Sequence, residues 1–154
     1  MVKLALADVP VRTGTGYPPP FDRPLLTRQH QRLADAAGLT RIGVHLVRIP
    51  PGGWSSQRHW HSHEDELVFM LEGELVLVTD AGEEILRPGE FAAWKAGVPD
   101  GHHLQNRSDR DAVFLVAGNR DPEDIGHYPD VDLATEPNRY AGGRFTRKDG
   151  TPPA

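Results

Sequence analysis

The sequence contains no cysteine, and this absence excludes several kinds of chemistry at once. Without a thiol the chain has no disulfide, no cysteine-ligated zinc or iron–sulfur site and no cysteine nucleophile. Long apolar runs are also missing, because runs such as Leu67 to Leu71 are far shorter than the roughly 20 residues that cross a bilayer. Asp8 and Pro10 interrupt the segment where a signal peptide carries its apolar stretch. We therefore expect a cytoplasmic protein without a membrane partner.

A basic stripe is missing too. The chain has 17 Lys and Arg against 22 Asp and Glu, which gives a formal net charge of −5. Nucleic-acid-binding domains usually cluster Lys and Arg on one face, so no nucleic-acid partner is expected. One segment, around Arg139, Arg144, Arg147 and Lys148, is locally basic but also contains Glu136 and Asp149. We interpret it as a solvated surface.

Glycine and proline are abundant, with 16 and 14 among 154 residues, and they favour short elements separated by turns. Apolar residues alternate or cluster in short runs between these turns. Strands are predicted at residues 42–49, 57–62, 66–72, 75–79, 84–86, 91–95, 102–106 and 112–117. Such a series is typical of a β-sandwich or β-barrel, so the sequence predicts an all-β fold.

Three segments are predicted along the chain. Residues 1–40 form an N-terminal arm, with a short edge strand at residues 2–6 and a short helix at residues 29–37. Residues 41–119 form the β-domain. Residues 120–154 are polar and dotted with proline, and we expect a mostly irregular tail that packs on that domain.

Five of the eight histidines lie between positions 59 and 103. His59 and His61 are two residues apart, so on a strand they share one face and can converge on one ion. Glu66 opens the next strand, and His102 could approach from an adjacent one. Imidazole and carboxylate are ligands for Fe, Mn, Ni, Co and Zn, so one divalent transition metal ion is the first functional hypothesis. His103, which faces the other side of its strand, is the alternative fourth ligand.

This stretch resembles the first signature motif of the cupin superfamily, G-x5-H-x-H-x4-E-x6-G. The matching residues are Gly53, His59, His61, Glu66 and Gly73. The second cupin motif, G-x5-P-x-G-x2-H-x3-N, is matched with departures. Its matching residues are Gly89, Gly97, His102 and Asn106. Lys95 stands where proline is usual, and two extra residues precede the histidine. The His-x3-Asn spacing favours His102 over His103.

The resemblance implies a cupin β-barrel, also described as a double-stranded β-helix or jelly roll. It also implies that His59, His61, Glu66 and His102 hold the metal ion. Cupins commonly pair, often through an N-terminal strand added to the neighbour's sheet, so a homodimer is expected.

Four protein ligands would leave two positions on a six-coordinate ion. Such a site can polarise a carbonyl or enediol, or activate dioxygen. We expect a metal-dependent enzyme of small-molecule metabolism, either a dioxygenase or an isomerase, lyase or cyclase. The alternative is a non-catalytic module that binds or senses a small ligand. No general base can be identified from the sequence.

The predicted pocket wall is apolar. Its residues are Val68, Met70, Leu77, Val113 and Leu115. Such a wall favours a small organic acid, a phenol or a polyketide. A phosphorylated sugar would call for several convergent Arg or Lys residues. His45 and Arg48 either line the barrel mouth or have structural roles.

Residues beside the histidines are predicted to have structural roles and not to bind the metal ion. His63, Glu64 and Asp65 are expected at the surface, in the turn before the strand at residues 66–72. Trp60 should face away from the ion and pack on apolar groups. Trp94 is expected to anchor the core or an interface.

Overall fold

The computed structural model describes residues 2–153; the outermost residues of the predicted arm and tail, 1 and 154, lie outside this range. Within it there are thirteen strands, one α-helical turn and three 3-10 turns. The strands are β1 (Arg12–Thr13), β2 (Gln29–Arg32), β3 (Ile42–Ile49), β4 (Trp60–His61), β5 (Glu66–Glu72), β6 (Leu75–Thr79), β7 (Gly82–Leu86), β8 (Phe91–Trp94), β9 (His103–Gln105), β10 (Ala112–Asn119), β11 (Gly126–His127), β12 (Ala134–Thr135) and β13 (Phe145–Thr146). The helical turns are α1 (Leu33–Ala36) and the 3-10 turns Leu6–Asp8, Arg23–Leu25 and Arg139–Ala141.

The strands form three antiparallel sheets. The largest has the order β1-β2-β3-β10-β5-β8, a second has β13-β12-β11-β4, and the third has β7-β6-β9. The predicted all-β class is confirmed, and the predicted strands at residues 42–49, 66–72 and 75–79 match to the residue. No helix among residues 2–153 is both long enough and apolar enough to cross a membrane.

The apolar core lies between the six-stranded and three-stranded sheets. Its buried members are Val47, Ile49, Val68, Met70, Leu75, Leu77, Leu86, Leu104, Ala112 and Phe114. On β10 the predicted phase is wrong, since Phe114 and Val116 pack towards this core. Leu115 pairs with the exposed Phe69 on the opposite face. A β-bulge next to Val113 interrupts the alternation and helps to explain the error.

A motif glycine sits at the β5–β6 turn. Gly73 has a φ of +70°, and a Cβ atom there would lie 2.5 Å from the carbonyl oxygen of Asp111. Only glycine fits both the backbone conformation and the close approach. This turn returns the chain from the six-stranded to the three-stranded sheet.

The N-terminal segment differs from the prediction. Residues 2–6, predicted to be an edge strand, form no strand. Of the segment predicted to be helical, Gln29–Arg32 is strand β2, and only one helical turn, Leu33–Ala36, remains. β2 pairs with the central strand β3, and this tertiary pairing outweighs the local helical preference. The Gln31 side chain also donates to the carbonyls of Leu6 and Val9, at 2.9 and 2.8 Å, and so holds the first residues against the sheet.

The tail contains more regular structure than predicted. β11 pairs with β4, which places Gly126 opposite His61. β12 and β13 extend the same sheet. The C-terminal segment is therefore joined by backbone hydrogen bonds to the strand that carries a predicted ligand.

Candidate metal centre

The structure brings all four predicted ligand side chains together. His59 and His102 face each other across a β-bridge, with N–O distances of 3.2 and 3.0 Å for its two backbone hydrogen bonds. Glu66, the first residue of β5, has its Oε2 atom 3.7 Å from His59 Nε2, 3.5 Å from His61 Nε2 and 3.1 Å from His102 Nε2. Three imidazole nitrogens thus surround one carboxylate oxygen.

Each of these imidazoles is oriented through its other nitrogen. His59 Nδ1 donates to the carbonyl of Gln57 at 2.9 Å, and His102 Nδ1 donates to the carbonyl of Asp100 at 2.9 Å. His61 Nδ1 donates to Asp124 Oδ2 at 2.8 Å. Since these acceptors carry no hydrogen, Nδ1 must hold the proton and Nε2 presents its lone pair in the neutral ring.

The adjacent His103 is oriented differently. Its Nδ1 donates to the carbonyl of Ser56 at 3.0 Å, and its Nε2 lies 3.0 Å from the amide nitrogen of Gln105. Its ring meets the edge of Trp54 at a centroid distance of 4.8 Å. Both ring nitrogens of His103 are therefore engaged away from Glu66.

Asp124 supports the cluster from the tail and has no counterpart in the sequence prediction. Its side chain is fully buried; Oδ2 accepts from His61, and Oδ1 accepts from the backbone N–H of His63 at 2.9 Å. Burial would raise the pKa of the Asp124 carboxyl, but the hydrogen bond from His61 and that backbone N–H hold it below the ordinary value. No local pattern marks Asp124, which lies 63 positions after His61.

Glu64 is buried, with 5% of its surface exposed, so its predicted surface position is wrong. It forms an ion pair with Arg139, accepts from the Tyr140 hydroxyl at 2.8 Å and accepts from the backbone N–H of Asp121 at 3.0 Å. Arg139 also approaches Asp124, with its Nε 3.5 Å from Oδ2. The interpretation of Arg139 as part of a solvated surface is therefore wrong, because carboxylates on the folded domain hold its side chain.

Two tryptophans and two further histidines, His63 and His127, lie near the ligand cluster. Trp94 stacks on His102 with ring centroids 3.6 Å apart and lines the site. Trp60 faces the other way and stacks on His127 at 4.1 Å. His63, as predicted, is exposed.

The ligand cluster opens into a cavity of about 650 Å³. Val68, Phe114 and Val116 supply an apolar part of its wall. The wall is otherwise more basic than predicted. Five arginines line it: Arg28, Arg32, Arg120, Arg139 and Arg144. The cavity wall is therefore more mixed than the sequence predicted, because β2 and the tail contribute charged side chains and neither was predicted to reach the cavity.

Comparison with known proteins identifies the family. The Cupin domain family model matches residues 45–118. A solved cupin-superfamily sugar phosphate isomerase from Silicibacter pomeroyi is 44% identical, and the alignment covers 99% of this chain and 97% of that one, with a TM-score of 0.93. The chain belongs to the cupin superfamily. The predicted cupin fold is thereby confirmed.

Two further solved structures resemble this cupin. A candidate sugar phosphate isomerase from Acidithiobacillus ferrooxidans is 28% identical over 80% of this chain and 78% of that one, with a TM-score of 0.73. The polyketide cyclase RemF from Streptomyces resistomycificus is 25% identical over 77% and 79%, with a TM-score of 0.59. No curated protein matches the chain.

Cupins commonly bind a metal ion, and in this cupin His59, His61 and Glu66 form a group that could hold one. The donor set fits, because lone pairs on Nε2 and on the carboxylate converge and need a cation or protons between them. Burial would raise the pKa of the Glu66 carboxyl, but contacts with His102 and His59 hold it well below its ordinary value. Glu66 therefore offers a charged ligand atom.

Two tyrosines stand beside this cupin's histidine cluster. The Tyr17 hydroxyl donates to the Tyr128 oxygen at 3.2 Å, and the Tyr128 ring lies 5.8 Å from that of His59. Burial raises the pKa of Tyr17 to about 12 and that of Tyr128 well above its ordinary value. Both hydroxyls therefore stay protonated at neutral pH and can act as hydrogen-bond donors.

Proposed function

We propose that this cupin is a metal-dependent isomerase that acts on phosphorylated sugars. One observation carries the proposal: three imidazole Nε2 atoms and the Glu66 carboxylate converge on the wall of an arginine-lined cavity. The comparison supports the same reaction, since the 44% identical Silicibacter protein, which is aligned over nearly its whole length, is a sugar phosphate isomerase.

The proposed ligand set is the one expected from the sequence. His59, His61 and His102 would bind one divalent transition metal ion through Nε2, and Glu66 would bind it through a carboxylate oxygen. A bound ion of this kind acts as a Lewis acid that polarises a carbonyl or hydroxyl oxygen of the substrate. The geometry supports His102 over His103, because only the former directs a ring nitrogen at Glu66.

The two tyrosines would orient the substrate. Tyr17 gives its hydroxyl hydrogen to the Tyr128 oxygen, which leaves the Tyr128 hydrogen free to reach another acceptor. Because Tyr128 lies beside His59 and lines the cavity, that acceptor would be a substrate oxygen close to the ligand cluster. Its raised pKa keeps it a donor throughout the neutral pH range.

The arginines favour a phosphorylated substrate over the phenols and polyketides expected from the sequence. Guanidinium groups suit phosphate oxygens because they offer paired N–H donors with a fixed charge. An isomerase also uses the ion without consuming oxygen, which distinguishes it from the dioxygenase that the ligand types equally allow.

A homodimer is the second part of the proposal. The outer face of β5 and β8 exposes a row of large apolar side chains: Leu67 (38%), Phe69 (36%), Leu71 (39%) and Phe91 (62%). A contiguous apolar sheet face is unusual on a monomer, and a second copy could cover it.

The function is tested with metal-loaded protein and a panel of aldose and ketose phosphates. Interconversion is followed by NMR in deuterium oxide, together with oxygen uptake and metal content by elemental analysis. We expect isomerisation without oxygen uptake. Replacing both His59 and His61 by Ala should remove the metal and reduce turnover more than a hundredfold, and His102→Ala should lower metal content where His103→Ala does not.

His63→Ala is the matched control, because His63 is exposed and two residues from His61 but lies outside the cluster. Full metal retention in the His59, His61 double variant would refute the ligand set. Oxygen uptake that depends on those histidines would replace the isomerase with a dioxygenase. Tight binding of a sugar phosphate without turnover would favour the non-catalytic binding module.

A further inference from the structure

We infer that Arg28, with Arg32 and Arg120 beside it, forms an anion subsite that binds the phosphoryl group of the substrate at the β2–β3 wall of the cavity. The inference rests on the proposed function only in identifying the anion as part of a sugar phosphate. It assigns a specific place and a specific residue to the recognition of that group.

The strand pairing puts a basic face on this wall. Arg28, His30 and Arg32 are spaced by two along an extended segment, so their side chains share one face. Arg32 pairs directly with His45 on β3, and the His30 and His45 rings lie 5.9 Å apart. Arg120 approaches the same wall at Gly43, where a Cβ atom would lie 3.6 Å from its Nε.

The Arg28 guanidinium has few partners for its donors. Of its five N–H groups, Nη1 contacts His30 Nδ1 at 3.1 Å, and the buried Nε has no hydrogen-bond partner. Within residues 2–153 no carboxylate forms an ion pair with this guanidinium. Burial lowers the pKa of Arg28, so the protein holds a desolvated cation there without a compensating anion.

The charges at this wall do not balance. Asp35 contacts both Arg120 and Arg32, the latter at 3.9 Å, and it is the one carboxylate that pairs with these arginines in the described part of the chain. Three guanidinium groups against one carboxylate leave two positive charges. His30 and His45 add none at neutral pH, since burial and then Arg28 lower both pKa values to about 4. A phosphate monoester carries nearly two negative charges at this pH.

A structural role explains this arrangement less well. The buried Nε of Arg28 has neither a hydrogen-bond partner nor an anion beside it among the described residues, which costs stability, and an anionic ligand in the cavity would offset that cost. The cavity reaches both Arg28 and the histidine cluster, so one substrate can contact the two. Tyr17 connects them electrostatically, because both Arg28 and Glu66 influence its pKa.

The probe is inorganic phosphate, titrated by calorimetry into metal-loaded protein and into protein treated with a chelator. We expect one phosphate per chain in both, since anion binding by Arg28 does not need the ion. Arg28→Gln should weaken phosphate binding at least tenfold, with no loss of thermal stability. Arg28→Lys should retain part of the affinity, because it keeps the charge but not the paired donors.

Arg48→Gln is the matched control. Arg48 lies on the neighbouring strand, pairs with Asp111 at 3.4 Å and faces away from the cavity, so its loss should leave phosphate binding unchanged. Equal phosphate affinity in the parent and in both Arg28 variants would overturn the subsite. So would binding that disappears on chelation, since it would place the phosphate on the metal ion.

The assay with sugars separates the two proposals. With turnover present, Arg28→Gln should lower kcat/KM for a phosphorylated sugar at least tenfold more than for the same sugar without phosphate, and an unchanged ratio would refute the subsite. If phosphate binds through Arg28 but no sugar phosphate is isomerised, the subsite stands and the proposed function fails.

Discussion

Asp124 provides the most direct test of how the tail supports the ligand cluster. Its two carboxylate oxygens accept different hydrogen bonds. Oδ2 accepts from His61 Nδ1 at 2.8 Å, and Oδ1 accepts from the backbone N–H of His63 at 2.9 Å. Asp124→Asn keeps the shape but replaces one acceptor with an NH2 donor. No orientation of the amide can then accept both hydrogens.

Each orientation has a predictable cost. If the amide oxygen faces His61, its NH2 group opposes the backbone N–H of His63, and a buried donor is left without an acceptor. That loss is worth about 1–3 kcal/mol of unfolding free energy. If the amide is reversed, His61 Nδ1 must accept, and the proton moves to Nε2, which faces Glu66 and would otherwise bind the ion. Loss of an orienting carboxylate typically lowers metal affinity about 10–100-fold.

The assay is competition for the metal against a chromophoric chelator, combined with thermal unfolding of the chelated protein. We expect an affinity weaker by about 10–100-fold and a lower melting temperature. Asp109→Asn makes the same charge change at an exposed position outside the cluster, and it should change neither value. Parental metal affinity in Asp124→Asn would show that the hydrogen bond does not set the His61 tautomer, and the reasoning would fail.

Two other predictions concern pH and assembly. Burial holds the folded-state pKa values of His30 and His45 at about 4, against an ordinary value of 6.5, so the unfolded chain binds more protons as pH falls from 6.5 to 4. In that window the unfolding free energy of protein treated with a chelator should fall by up to about 1.4 kcal/mol per pH unit for each histidine. The fall should be shallower in His45→Gln. Equal slopes in the parent and in this variant would contradict the burial of His45 as a neutral ring. Phe91→Lys changes the most exposed apolar position of the β5–β8 face and should convert a dimer to a monomer in analytical ultracentrifugation. Val98→Lys, at a loop position that is 47% exposed, is the control and should leave the dimer intact. A dimer retained in Phe91→Lys would place the interface elsewhere.

The sequence contained enough information to predict the ligand cluster because the relevant contacts are local. His59 and His61 are two residues apart, and Glu66 opens a strand whose bounds follow from a continuous apolar run, Leu67 to Leu71, between two glutamates. His102 depended on a resemblance with two inserted residues, and the structure shows why the insertion is tolerated. The bridge to His59 fixes the position of His102, and the extra residues belong to the preceding loop.

The supporting residues could not be predicted in the same way, because they reach the site through long-range pairing. Asp124 and Arg139 belong to a tail without strong periodicity, and Arg28 precedes a strand that resembled a helix in sequence. Their charge alone indicated surface positions. Only the pairing of β11 with β4 and of β2 with β3 brings these polar side chains to the site.

These two pairings also explain how one small domain can hold opposite charges apart. The β4–β11 contact brings Glu64 and Asp124 together on Arg139 beside the histidines, and Glu66 is left to face the imidazole Nε2 atoms. The β2–β3 contact gathers guanidinium groups on another wall, with Asp35 alone to offset them. A ligand with a carbonyl or hydroxyl at one end and a phosphoryl group at the other can satisfy both walls in a single orientation. If that is how the cavity works, Asp124→Asn should reduce metal affinity without changing phosphate binding to chelated protein, and Arg28→Gln should do the reverse.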